Sequence, residues 1–188
     1  MLDSTIIYLM RHGLDDETFV GGWSNGGLIK EGKEQVECAT KFISQNINDI
    51  STIYHSGLNR AIETADIVNE VVDLPIISLD DLKELNKGRL NGMEVNVAKN
   101  MYPNFFPNPS IYEKYPDGES LQDLHDRVKS FLKNSDEYDK SLLVTHRGVI
   151  NMIYFILNDI EINYDKKQFD VGHGSIHKIE LGKINKIF

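Results

Sequence analysis

Two arginines and two histidines carry the chemistry that this sequence allows: the adjacent pair Arg11 and His12, then Arg60 and His146. A guanidinium presents a planar fork of donors that matches phosphate oxygens. A phosphomonoester brings about −1.5 to −2 of charge and three acceptor oxygens. The same set suits a phosphoryl-transfer transition state, where charge spreads over the equatorial oxygens. Binding alone does not require a histidine beside an arginine. Neutral imidazole is a competent nucleophile and forms covalent intermediates. One histidine could attack phosphorus while the other stabilises charge. The departing alkoxide would then need a proton from a nearby carboxylic acid whose pKa the site raises. Glu84 is the candidate, with Asp80 and Asp81 behind it.

These residues stand at the ends of expected strands. Ile6, Ile7, Tyr8, Leu9 and Met10 form an unbroken apolar run that stops at Arg11-His12-Gly13. Such a run reads as a strand buried on both faces of a parallel sheet. Residues 52–54 lead through His55 and Ser56 to Arg60, and residues 142–145 end on His146-Arg147-Gly148. In open α/β sheets ligands bind outside the carboxyl ends of the strands, so three such ends would make one site. Gly13 is expected to let the chain turn while phosphate approaches the His12 ring.

Apolar spacing predicts a helix over 32–46 (Val36, Ala39, Ile43, Ile47) and another over 58–72 (Ala61, Ala65, Val68, Val72). Two more are expected from Ser120 (Leu121, Leu124, Val128, Phe131) and over 148–157. Ser56 is expected to cap the second helix, which puts Arg60 in its first turn. A cation there is mildly unfavourable unless it serves an anion. Residues 75–79 read as a short strand, and a strand within 174–181 is expected to end the sheet. The alternation implies an α/β fold. It is a three-layer α/β/α sandwich with a mostly parallel central sheet, residues 1–188 forming one domain.

Two loops are expected to shape the site. Residues 14–30 contain Gly21-Gly22-Trp23-Ser24-Asn25-Gly26-Gly27, where the backbone can approach a ligand closely. Residues 94–118 combine four prolines with Tyr102, Phe105, Phe106, Tyr112 and Tyr115. This stretch is expected to be a small, mainly helical or loop insertion lying lid-like over the sheet edge.

A formal net charge of −9 makes nucleic acid and anionic membranes poor partners. An anion site must therefore be built by local Arg and His against the overall field. Cys38 is the only cysteine, which excludes an intrachain disulfide and fits a reducing compartment. Residues 1–4 lack the features of a signal peptide, and the apolar stretch 149–157 is too short to span a bilayer. A cytoplasmic protein is expected. Nothing in the sequence sets an oligomeric state.

Five motifs occur in order: Leu9-Met10-Arg11-His12-Gly13; Ser56 through Arg60-Ala61 to Thr64-Ala65; Leu82-Lys83-Glu84 followed by Gly88 and Gly92; Pro116-Asp117-Gly118-Glu119-Ser120; and Val144-Thr145-His146. In this the sequence resembles the histidine phosphatase superfamily, in the branch that includes cofactor-dependent phosphoglycerate mutases. The resemblance implies a phosphohistidine mechanism on a small-molecule phosphate ester. His12 would be the nucleophile, and Arg11, Arg60 and His146 would hold the phosphoryl group. Glu84 would be the proton donor, then the base for water. No metal or organic cofactor would be needed. Three departures stand out. Arg147 follows the second histidine where the family often has Gly, and it either adds charge near the phosphate or points away from it. The family's Asn soon after Arg-His-Gly has no clear counterpart, and Ser24 or Asn25 is the substitute considered. Gly22-Trp23-Ser24-Asn25 lacks the carboxylate of the family's Gly-Trp-x-Asp, and Trp23 is either a loop anchor or a substrate contact.

His173 and His177 are four apart, but they read as turn and strand, too far apart to chelate easily, so no metal site is expected. His173 is placed at the pocket mouth at most, His125 at the surface or its boundary, and His55 either in the site or simply at its strand end. The leading function is a phosphatase. The alternatives are mutase-type phosphoryl transfer, for which residues 182–188 offer little shielding tail, and a non-catalytic phosphate-binding module. The insertion suggests a nucleotide-like or sugar phosphate; the resemblance also allows a role like that of the family's ribazole-phosphate phosphatases, which no residue here demands.

Overall fold

The computed structural model describes residues 5–188, so the stretch 1–4 considered above as a signal-peptide region lies outside the described residues. The elements run β1 (Ile6–Arg11), α1 (Lys30–Asn46), β2 (Thr52–His55), α2 (Asn59–Val72), β3 (Ile76–Ser78), α3 (Val95–Met101), α4 (Leu121–Lys133), β4 (Ser141–Thr145), α5 (Arg147–Leu157), β5 (Ile176–Glu180) and β6 (Lys183–Lys186). The strands form one sheet in the order β3-β2-β4-β1-β5-β6. β1, β2, β3 and β4 are mutually parallel, whereas β5 runs antiparallel to both β1 and β6.

Alternation along the central strands explains the three layers. Ile7 and Leu9 of β1 and Leu143 of β4 face a core with Leu124, Val128 and Phe131 of α4 and Val149, Ile153 and Phe155 of α5. Tyr8 and Met10, with Leu142 and Val144, face the other core with Val36, Ala39 and Ile43 of α1 and Ala61, Ala65 and Val68 of α2. A strand apolar at every position is thus apolar toward two helical layers. α4 starts on a capping box: Ser120 Oγ accepts from the Asp123 N–H at 3.1 Å, and the Asp123 carboxylate accepts from the Ser120 N–H at 2.8 Å. No helix among the described residues is long and apolar enough to cross a membrane.

Two expectations are corrected. Ser56 does not cap α2, whose N-cap is Leu58 with no side-chain cap bond. Ser56 stands too early because the helix starts at Asn59, and its hydroxyl is used elsewhere. The strand over 174–181 does not end the sheet, since residues 183–186 add β6 at its edge. A turn through Leu181 (φ 51°) and Gly182 (φ 69°) makes that hairpin, and the alternating polar residues of an edge strand give a weak apolar signal. At Gly13 a Cβ would run into the Gly32 carbonyl and the Val36 side chain of α1, so its smallness permits the close approach of β1's end to that helix.

Residues 94–118 carry α3 and a short helical turn at Pro103–Phe105. The glycine-rich loop is stitched to this region. Gly92 N–H donates to the Val20 carbonyl, Val20 N–H to Met93 and Val95 N–H to Thr18, at 2.8, 2.8 and 3.0 Å.

Candidate active site

The parallel strands bring their carboxyl ends to one edge. Arg11 lies opposite Thr145 in the β1–β4 ladder and His55 opposite Val144 in the β2–β4 ladder. His12, Ser56 and His146 therefore leave the sheet side by side. The His12 and His146 rings are 5.0 Å apart between centroids. A cavity of about 460 Å³ lies over this edge, lined by Arg11, His12, Arg60, Glu84 and Arg147 among others.

His12 is 4% exposed. Its Nδ1 lies 2.7 Å from the Gly13 carbonyl oxygen, which can only accept. The hydrogen therefore sits on Nδ1, and the Nε2 lone pair faces Arg60 Nε at 3.2 Å. Burial, then His146, Arg60 and Arg11, push its pKa well below that of free imidazole. The ring is neutral at physiological pH, with its nucleophilic nitrogen directed at a guanidinium.

Arg60 is 2% exposed, in the first turn of α2. The glycine-rich loop fixes it there. Nη2 donates to the Gly22 carbonyl at 2.7 Å, Nη1 reaches Ser24 O and Oγ at 3.3 and 3.2 Å, and Asp15 Oδ2 lies 3.5 Å from Nε. Arg11 Nη1 donates to the Val171 carbonyl at 2.8 Å, Nη2 contacts His173 Nε2, and Nε has no partner. Burial, then Arg147, lower the Arg11 pKa to about 10, which leaves it cationic at neutral pH.

His146 is fully buried, and its Nε2 meets Ser56 Oγ at 2.7 Å. Leu58 N–H donates to the same hydroxyl at 3.4 Å, so the Ser56 proton can go to Nε2. Nδ1 then carries the ring hydrogen, and it has no partner. Burial, then Arg60, push the His146 pKa down to about 3.

Glu84 sits at the N-terminus of α5. Its Oε2 accepts from the Gly148 N–H at 3.1 Å and its Oε1 from the Leu85 N–H at 2.9 Å. Burial pushes its pKa up, but His146, these two N–H groups and Arg60 outweigh it, and the net direction is down. The expectation that the site itself raises the Glu84 pKa is therefore corrected. A carboxylate receiving N–H bonds at a helix N-terminus is held ionised. Its segment is clamped at four consecutive carbonyls. Arg127 of α4 donates to Asp81, Lys83 and Glu84 at 2.8, 2.9 and 3.3 Å, Thr145 Oγ1 to Leu82 at 2.7 Å and Trp23 Nε1 to Glu84 at 2.7 Å. Glu119 completes the clamp by accepting from Arg127 at 3.0 and 3.1 Å and from the Asn86 N–H at 2.9 Å.

The structure thus brings together Arg11, His12, Arg60, His146, Glu84 and Arg147. Ser24 joins them through Arg60. Trp23 and Asn25 stand apart. Trp23 is exposed, anchoring the Glu84 backbone with Lys83 Nζ 4.8 Å above its ring. Asn25 is exposed, and its carbonyl accepts from Asn59 Nδ2 at 2.7 Å. His55 ends its strand and accepts from the Gly57 N–H at 3.0 Å, while His125 bonds to Asp126 on α4. His173 is half-buried against Arg11, with its ring 5.6 Å from that of His12. Antiparallel β5 explains this, because its start, not its end, lies at the carboxyl edge: Met10 pairs with Ile176. Sequence reasoning also missed Asp15 at Arg60, Arg127 at the Glu84 segment, Lys87, and the loop after α5 that brings Lys166 to the cavity. One signal was available. Arg147, Asn151 and Phe155 recur every four residues and line the cavity from one face of α5.

His12, Asp15 and His173 bring potential ligand atoms within 4.8 Å of one another. Arg60 contacts two of these groups and Arg11 the third, so positive charge opposes a metal ion there.

The profile described as the histidine phosphatase superfamily (branch 1) matches residues 7–186. The chain is 32% identical over 155 residues to the uncharacterized phosphatase PhoE of Bacillus subtilis, covering 79% of this chain and 75% of that protein. It is 28% identical over 159 residues to human 6-phosphofructo-2-kinase/fructose-2,6-bisphosphatase 3, covering 80% of this chain. The chain spans only 29% of that bifunctional protein's length. Among solved structures, a putative alpha-ribazole-5'-P phosphatase from Escherichia coli superposes with a TM-score of 0.83 at 20% identity, covering 97% of this chain and 94% of that one. A mycobacterial glucosyl-3-phosphoglycerate phosphatase gives 0.74 at 19% identity, covering 97% and 96%. At these identities the likeness shows the fold.

Proposed function

The chain belongs to the histidine phosphatase superfamily, and we propose that it hydrolyses a small-molecule phosphomonoester through a phosphohistidine on His12. The observation that carries this reading is the buried, neutral His12 ring. Its Nδ1 is tied to the Gly13 carbonyl and its Nε2 is directed into a cluster of Arg11, Arg60 and His146.

The Nε2 lone pair attacks phosphorus, and the phosphorus–oxygen ester bond breaks. Arg11 and Arg60 hold the equatorial oxygens, and the His146 Nδ1–H donates to one of them. The leaving alkoxide takes a proton from Glu84. In the free site Glu84 is ionised, but the arriving phosphate places like charge beside it and raises its pKa. Substrate binding thus loads the proton donor. In the second half, the Glu84 carboxylate takes a proton from water as the water oxygen attacks phosphorus. The phosphorus–nitrogen bond then breaks, and phosphate and neutral His12 are released.

The test is turnover of a panel of metabolite phosphates, read as free phosphate, with acid-labile phosphoenzyme trapped in rapid quench. Native protein should release phosphate and label, and His12→Ala should do neither. An aryl phosphate hydrolysed equally well by His12→Ala would sink the mechanism. Isomerisation of phosphoglycerate without net phosphate release would favour the mutase reading.

A further inference from the structure

An arginine that meets a phosphoryl group works best when its long side chain is fixed before the ligand arrives, because ordering it during binding costs affinity and rate. Arg60 is fixed by carbonyls, a hydroxyl and the Asp15 carboxylate. Arg11 is fixed differently, by the turn over residues 171–175 that leads into β5. The Val171 carbonyl accepts from Nη1 at 2.8 Å, and the His173 ring meets Nη2. Gly174 N–H donates to the Arg11 carbonyl at 3.1 Å, and the Arg11 N–H donates to the Ser175 carbonyl at 3.0 Å. The turn is itself braced. Gly174 takes a left-handed φ of 73°, and Ser175 N–H donates back to the Gly172 carbonyl at 3.1 Å. Ser175 Oγ meets His177 Nε2 at 2.9 Å, and His177 Nδ1 meets Tyr154 Oη of α5 at the same distance.

The Arg11–His173 contact has one possible polarity. A guanidinium only donates, so His173 Nε2 accepts, the ring hydrogen sits on Nδ1 and the ring is neutral. Burial, then Arg11, Arg147 and Arg60, push the His173 pKa down to about 3, which keeps it so at neutral pH. Arg11 is therefore held by two uncharged acceptors, and its charge stays available to an anion. A carboxylate in the place of the ring would offset that charge. Arg11 lines the cavity, whereas Val171 and His173 do not, so the ring acts on the guanidinium from behind.

We infer that His173 is a positioning residue: its neutral ring holds the Arg11 guanidinium in the orientation that meets the transferring phosphoryl group. This inference rests on the phosphatase reading above.

The experiment is a double-mutant cycle of His173→Leu and Arg11→Gln. Its readouts are kcat/KM for an aryl phosphate and the Kd of orthovanadate, which copies a five-coordinate phosphoryl group. His173→Leu should lower kcat/KM and weaken vanadate by about tenfold or more, the worth of a hydrogen bond to a charged group. In the Arg11→Gln background the same substitution should change either quantity by no more than about twofold. His173→Gln, whose Oε1 reaches as far along the chain as Nε2, should keep most of the activity. A loss of equal size in both backgrounds, or a His173→Gln as impaired as His173→Leu, would overturn the inference. Nitrogen NMR of the native ring tests the contact without any substitution. The Nδ1–H tautomer is expected at neutral pH, and an Nε2–H tautomer or an imidazolium would overturn the inference even if His173→Leu fails to fold. A native protein that neither hydrolyses an ester nor binds vanadate would sink the phosphatase reading, and the role of His173 with it.

Discussion

The hydrogen on His12 Nδ1 is fixed by a backbone carbonyl, so Nε2 is nucleophilic whenever the ring is neutral. In the proposed mechanism Glu84 is the residue whose state must change with each turnover. In Glu84→Gln the amide keeps the shape but carries no transferable proton. Hydrolysis of an alkyl phosphate should fall by roughly 10²- to 10⁴-fold, the usual worth of a general acid–base group. Phosphorylation of His12 by an aryl phosphate, whose phenolate leaves without help, should fall far less. Equal losses on the two esters would refute the proton-donor role. Proton uptake on binding vanadate, read by calorimetry in buffers of different ionisation enthalpy, should also vanish in Glu84→Gln. At this scale much was legible in the sequence. Arg11, His12, Arg60 and His146 are polar groups placed where apolar runs or helix starts leave few other uses for them. Lys87 and Lys166 were not, because a single polar residue in a loop carries no period that tells which way it points.

The elements explain why Glu84 can be held at all, and they separate two ways of losing it. A Cβ at Gly148 would collide with the Glu84 carboxylate, although its N–H is one of that group's donors. In Gly148→Ala the carboxylate must swing away. Activity on alkyl phosphates should drop by about 10²-fold, the cost of misplacing a catalytic group by around an ångström. Stability should hold or rise slightly, since alanine favours a helix. Arg127→Ala acts on the same residue through the other element. It removes donors from three carbonyls and from Glu119. It should cost roughly 2–3 kcal/mol of stability as well as alkyl-phosphate activity. Urea unfolding beside the alkyl-to-aryl rate ratio distinguishes them. If both variants lose stability equally, Gly148 is a packing glycine and no more. The helices were readable from spacing because each buries one face, and the parallel strands because they bury two. The direction of β5 was not, since neither composition nor period records strand polarity, and that direction puts residues 173–175 at the site.

Across the whole molecule, buried neutral histidines make stability depend on pH. His146 is pushed to about 3, and His177, buried with Tyr154 and Ser175 on its two ring nitrogens, to about 4. Burial is the first cause in both. The unfolded chain protonates each ring near its ordinary value of about 6.5. Between that pH and the folded value the unfolded state binds more protons, so stability falls as pH falls. For His177 alone the loss between pH 7 and pH 5 is about 2 kcal/mol. The carboxylates with lowered pKa, Glu84 and Asp123 among them, also lose stability in acid. They do so only below the ordinary carboxylate range near pH 4, so the window from 6.5 to 5 belongs to the histidines. Urea midpoints at pH 7, 6 and 5 should decline steeply in the native protein. His177→Gln removes one titrating ring outside the catalytic cluster, and it should be less stable at pH 7 but visibly flatter in slope. A slope unchanged by the substitution would mean that His177 titrates alike in the folded and unfolded chains. The Ser175–His177–Tyr154 network would then not hold the ring neutral, and the pH dependence would have to come from His12, His146 and His173 in the site and from His55, which burial also pushes down.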